Sequence, residues 1–143
     1  MKIDNTLSLV SNLRESINRA LVKEMNTQGI EGLVTSHGDI LTKLFKHGEL
    51  PKSQIAVSIQ KDKSTVTTLI NKLISLDYVQ TRKNPQDSRS ILVSLTDKGR
   101  ALKPSFMEIS ERVFEALFKD IDEREKQAFR KTLKKMLENM EAY

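Results

Sequence analysis

The sequence predicts a mainly α-helical chain carrying one small β-hairpin. Three observations lead there. Apolar residues recur at helical spacing over most of the 143 residues. The period shortens to two only around residues 78–95. Gly, Pro and Asp punctuate the helical stretches often enough to keep each helix of ordinary length. A chain of this size builds one compact domain or two small interdependent ones.

Residues 4–25 form the first expected helix, with Leu7, Val10, Leu13, Ile17 and Leu21 on one stripe. Gly29 and Gly32 break the next stretch. Thr35 offers an N-cap for a second helix striped by Ile40, Leu41, Leu44 and Phe45, and Gly48 stops it. Pro51 suits the first turn of a third helix, where its missing N–H would be unpaired anyway; Ile55, Ala56 and Ile59 are its buried side. A short turn, Gln60-Lys61, leads to Asp62, whose carboxylate caps a fourth helix running to about Leu76. Asp77 is placed where the chain turns left-handed. Tyr78–Arg82 and Ser90–Leu95 are expected strands joined by a long polar loop over residues 83–89. Thr96 caps a further helix to about Lys119, kinked by Pro104 within it. A break at residues 120–122 precedes the last helix.

Composition excludes several classes of function. There is no cysteine, hence no disulfide framework, thiolate zinc site, iron–sulfur cluster or thiol redox switch. Two histidines, His37 and His47, leave little for metal or acid–base chemistry, and no phosphate loop, nucleophile elbow or carboxylate–histidine cluster is present. No catalytic residue, metal or cofactor is therefore expected. The first residues lack the apolar core of a signal peptide, and no stretch is apolar enough to cross a membrane, so a cytoplasmic protein is the expectation.

The net charge of +5 is unevenly spread. Residues 1–50 and 101–143 are each neutral. Residues 51–100 hold nine basic side chains (Lys52, Lys61, Lys63, Lys72, Arg82, Lys83, Arg89, Lys98, Arg100) against four acidic ones. Two neutral arms around a basic middle suit a scaffold that presents an anion-binding module.

The middle order, helix, helix, tight turn, helix, hairpin, is that of a winged helix-turn-helix, whose second helix of the pair enters the DNA major groove. On the fourth helix Val66, Leu69, Ile70 and Leu73 fall in one sector of roughly 100°. Ser64, Thr67, Thr68 and Asn71 fall opposite, with Lys63, Thr65 and Lys72 on the flanks. Small hydroxyl and amide groups let a helix approach base edges closely. At the hairpin tip Lys83 and Arg89 flank Asn84-Pro85-Gln86, and an arginine projected from a loop suits a narrow minor groove. Asp87 is expected to pair with Arg89 and hold it extended.

These residues carry a resemblance to the MarR family of bacterial regulators. It runs through Ile55-Ala56 and Ile59, Lys63-Ser64-Thr65-Val66-Thr67, Leu69-Ile70 and Leu73, then Asp87-x-Arg89 and Leu95-Thr96-x-x-Gly99-Arg100. The wing with its following Thr-x-x-Gly-Arg is the more specific part. The chain departs from the family at Gln60 and Asp77, where glycine is frequent, and at Lys61, where an apolar residue is. The resemblance implies residues 35–100 as a DNA-binding winged helix, and residues 1–34 with 101–143 as dimerisation helices. It also implies a homodimer that binds a pseudo-palindromic operator and releases it when a small ligand binds; a repressor is the expectation, with operator position deciding between repressor and activator. The stripes Leu102, Phe106, Ile109, Val113, Leu117 and Phe129, Leu133, Met136, Leu137, Met140, with Phe114 and Phe118 beside them, agree, since a small monomer does not easily bury so much apolar surface.

The expected site is thus Lys63, Ser64, Thr65, Thr67, Thr68, Asn71, Lys72, Lys83, Asp87 and Arg89, and the expected partners are double-stranded DNA, a second copy of the chain and a small effector. A winged helix used only for protein interaction is the alternative. No motif marks an effector pocket. His37, near the start of the second helix, is either a ligand contact or pH sensor there, or a surface residue beside a helix N-terminus.

Overall fold

The computed structural model describes residues 3–143; residues 1 and 2, at the head of the expected first segment, lie outside the described residues. The chain runs through α1 (Thr6–Thr27), α2 (Thr35–His47), β1 (Glu49–Pro51), α3 (Lys52–Ile59) and α4 (Lys63–Ser75). It continues through β2 (Val79–Asn84), β3 (Asp87–Leu95), α5 (Asp97–Arg100), α6 (Lys103–Leu117) and α7 (Glu123–Glu141). Among the described residues no helix is long and apolar enough to cross a membrane.

The apolar stripes of the central helices converge. Ile40, Leu41 and Leu44 of α2, Ile55 of α3, Val66 and Leu73 of α4 and Val93 of β3 are fully buried in one core. Ile109 and Val113 of α6 and Met25 of α1 extend that core toward the terminal helices. On α7, by contrast, no residue is buried.

The sheet has three antiparallel strands in the order β1-β3-β2, one more than the hairpin expected. Glu49, Leu50 and Pro51 pair with Ser94, Val93 and Leu92. Three residues are too short a run to show a period of two. Pro51 therefore ends a strand and precedes α3, with φ −61° and ψ 139°, rather than entering its first turn.

Three other expectations need correction. Thr35 is the first residue of α2 and not its cap; its hydroxyl is buried without a partner. The residue ahead of it, Val34, accepts from the His37 N–H and donates its own N–H to His37 Nδ1 at 2.9 Å. The long wing loop is a two-residue turn, Pro85-Gln86, because both strands reach further than their apolar alternation does. Finally, Thr96 caps only the four-residue α5; Ala101 and Leu102 separate it from α6, so Pro104 lies in a first turn and kinks nothing.

The left-handed turn at Asp77 is as expected, with φ 62°. Gln60, the other departure from a frequent family glycine, is also left-handed at φ 55°. Both positions need the conformation that glycine adopts without strain.

Candidate nucleic-acid interface

The site begins with the cap of α4. Asp62 Oδ1 accepts from the Thr65 backbone N–H at 2.7 Å and from Ser64 Oγ at 2.9 Å. Those hydrogen bonds hold its carboxyl below the usual range. The cap sets where the helix starts, and thereby its rotation. With Val66, Ile70 and Leu73 buried, Lys63, Ser64, Thr65, Thr68, Asn71 and Lys72 are exposed together and Thr67 is half-buried.

The hydroxyls of this face are held by the helix itself. Thr67 Oγ1 donates to the Lys63 carbonyl at 2.9 Å, Thr68 Oγ1 to the Ser64 carbonyl at 3.1 Å and Ser75 Oγ to the Lys72 carbonyl at 2.6 Å. Ser75 shares the outward strip with Ser64 and Thr68. Its position was computable from the 100° step, but it lies beyond the hydroxyl cluster that marks the helix in sequence.

The wing supplies the other half. Lys83 pairs with Ile91 while Asn84 pairs with Asp87, so Ser88, Arg89 and Ser90 form an extra bulged segment on β3. Bulges re-aim side chains at the edges of sheets. The expected carboxylate–guanidinium pair does not form: Asp87 Oδ1 accepts from the Arg89 backbone N–H at 3.0 Å and so holds the bulge rather than the side chain. Lys83 and Arg89 are both exposed.

Between wing and helices lies a notch of about 320 Å³, bordered by Lys52 and Ser53 of α3, Lys63 and Thr67 of α4, and Arg89 and Ser90 of β3. Three cations and three hydroxyls around one opening suit an anionic oxygen such as a phosphate. Lys52, Ser53 and Ser90 were not among the expected site residues. Lys52 showed in the charge count, but only the fold brings the start of α3 against the wing.

The basic middle is not all available. Arg82 is clamped to Glu49 across the sheet by hydrogen bonds of 3.0 and 2.8 Å. Lys98 Nζ donates to the Leu76 carbonyl, and Arg100 to the Leu95 carbonyl and Asp97. These belong to a corner in which Thr96 Oγ1 accepts from the Gly99 N–H and donates to the Asp77 carbonyl. The Thr-x-x-Gly-Arg motif is thus an architectural joint between α4, the sheet and α6. The side chains of Lys52, Lys61, Lys63, Lys72, Lys83 and Arg89 make no hydrogen bond or ion pair among the described residues. Lys72 lies back against Gly32 and near His37. His37 is buried at 7% exposure, not a surface residue, and its Nδ1 is an acceptor; burial first, and Lys72 second, hold its pKa below the ordinary value.

Comparison with known proteins agrees with this geometry. A sequence model described as the MarR family matches residues 35–91. The transcriptional regulator SarZ of Staphylococcus haemolyticus is 36% identical over 78 residues, covering 54% of this chain and 52% of SarZ. The chain spans about half the length of the curated SarZ relatives that it matches. A MarR protein from Peptoclostridium difficile superposes with a TM-score of 0.88 at 26% identity, over 99% of this chain and 94% of that one. A mutant MarR from E. coli complexed with operator DNA gives a TM-score of 0.84 over 96% of this chain and 99% of that one; at 19% identity this likeness shows the fold alone. The chain thus shares with proteins of the MarR family a pattern over residues 35–91 and a likeness that runs its length.

Proposed function

We propose that the protein is a DNA-binding transcriptional regulator, acting as a homodimer on a pseudo-palindromic operator and as a repressor released by a small ligand. The observation that carries the reading is the outward face of α4, small and hydrogen-bonding, set beside a notch with three unpaired cations. In this reading α4 enters the major groove, Arg89 reaches the adjacent minor groove or its phosphates, and Lys52 and Lys63 meet the backbone. The match of residues 35–91 to the MarR family, whose members are DNA-binding regulators, supports a regulator over an enzyme.

The dimer is supported by apolar surface at the two ends of the chain. Leu7, Leu9, Val10 and Leu13 of α1 and Phe129, Met136, Leu137 and Met140 of α7 are exposed in the single chain. Residues 1–34 and 101–143 then join two copies, and residues 35–100 bind DNA. A cavity of about 200 Å³ between Leu21 and Met25 of α1, Thr35 and Asp39 of α2 and Phe106 and Phe114 of α6 offers a place for the effector. Bound there, a ligand shifts the population between dimers whose α4 spacing fits two half-sites, roughly 34 Å apart, and dimers whose spacing does not. A cytoplasmic location fits a partner that is genomic DNA.

Affinity for duplex DNA measured over a salt series tests the reading. Affinity falling steeply with salt, and higher for one operator than for random duplex, is expected. Absence of duplex binding at low salt would leave only a protein-interaction role.

A further inference from the structure

We propose that α4 reads A·T base pairs, with Asn71 as the adenine-reading residue and Thr68 set against a thymine methyl. This rests on the reading of α4 as the groove-facing helix and specifies what that helix recognises. At about 100° per residue, Ser64, Thr68, Asn71 and Ser75 occupy a sector of roughly 60° opposite Val66. Every hydroxyl in that sector, and that of Thr67 beside it, has its proton directed into the protein: Ser64 to Asp62, Thr67 to the Lys63 carbonyl, Thr68 to the Ser64 carbonyl, Ser75 to the Lys72 carbonyl. A hydroxyl so committed accepts and does not donate. In the major groove it meets the amino groups of adenine or cytosine, and it has nothing to offer guanine, whose N7 and O6 are both acceptors. Thr68 adds a methyl group, which suits the methyl of thymine.

Asn71 differs. It is exposed and makes no side-chain hydrogen bond among the described residues, so its carboxamide keeps one donor and one acceptor side by side. That pair matches N7 and N6 of adenine. The usual guanine reader, an arginine or lysine, is missing from the sector: Lys63 and Lys72 stand on the flanks, Lys72 drawn back against Gly32.

The experiment uses the full chain. A preferred duplex is selected from a random pool. Adenines are then replaced singly by 7-deazaadenine, which lacks N7, and thymines by uracil, which lacks the methyl. Binding is measured for the parent, Asn71→Ala and Thr68→Ser, with melting curves to show that the variants fold. One 7-deazaadenine per half-site lowers parent affinity by about tenfold or more and leaves Asn71→Ala indifferent. One uracil weakens the parent and leaves Thr68→Ser indifferent. Guanine specified at the positions sensitive to Asn71, or base changes that harm parent and variants alike, would overturn the assignment. Failure to select any preferred duplex would overturn the proposed function itself, and this assignment with it.

Discussion

His37 shows how one side chain links local structure to pH. Its Nδ1 accepts the Val34 N–H and so closes the start of α2 only while the ring is neutral. Burial keeps its pKa in the folded chain below the ordinary 6.5. The unfolded chain then binds more protons than the folded one between those two values. The His37 contribution to stability is complete above about pH 6.5 and is lost as pH falls through that window. A melting temperature lower at pH 5.5 than at pH 7.5 is expected, with a smaller drop for His37→Gln, whose carboxamide can accept the same N–H without titrating. Gly99 is set by a close approach. A Cβ there would stand 2.0 Å from the Tyr78 carbonyl oxygen. Gly99→Ala should cost about 1–3 kcal/mol, read from the urea midpoint, as the corner is forced apart. At the wing, Arg89→Ala should weaken operator binding by roughly 1–3 kcal/mol with no change in melting. Asp87→Ala should cost less, since Asp87 holds the Arg89 backbone and not its guanidinium. Unchanged operator affinity for Arg89→Ala would remove the wing from the interface.

In the proposed DNA complex the fourth helix divides its work by angle. Ser64 and Thr68 lie at the centre of the outward face, while Lys63 lies on the flank that borders the notch. Base contacts discriminate between sequences, whereas phosphate contacts act on all duplexes alike. Ser64→Ala and Thr68→Ala should therefore lower the ratio of operator to random-duplex affinity. Lys63→Ala should weaken both and flatten the salt dependence by about one unit of slope. The opposite pattern would mean that the helix sits rotated in the groove. Lys72 is the less secure phosphate contact, because its ammonium is held near Gly32. Elements also explain the two departures from family glycine. Gln60 and Asp77 end α3 and α4 with positive φ, and polar residues carry that conformation at a modest cost.

For the molecule as a whole, the terminal helices are where the proposed dimer would form. α1 packs on α6 through the half-buried Ile17, Ala20 and Leu21, yet its first turns and nearly all of α7 remain uncovered. Exposed apolar side chains of this number mark an interface. Sedimentation at micromolar concentration should give a particle of twice the 16.3 kDa chain mass. Removing residues 120–143 should leave the Phe114 face without a partner and yield aggregate or unfolded chain. A folded monomer in either experiment would refute the dimer.

Much of this was legible in the sequence because it rests on local rules. Helical periodicity located the stripes of α2 and α4, a short polar side chain located the caps at Asp62 and Thr96, and a left-handed turn was assigned to Asp77. The angle of each residue on α4 followed from the helix repeat once Val66 and Leu73 were placed inside. The rest depended on contacts distant in the chain. The third strand exists because Glu49–Pro51 meets Leu92–Ser94, 41 to 45 residues away by number and paired only in space. The buried acceptor role of His37 depends on the loop before α2 folding back. The notch joins Lys52, Lys63 and Arg89 from three elements, and no spacing in the sequence encodes their approach. Local periodicity and capping determine which helices form and which faces they bury. Which cations remain unpaired is decided only when the sheet clamps Arg82 to Glu49 and the corner takes up Lys98 and Arg100, because charge pairing is a matter of distance in the folded chain.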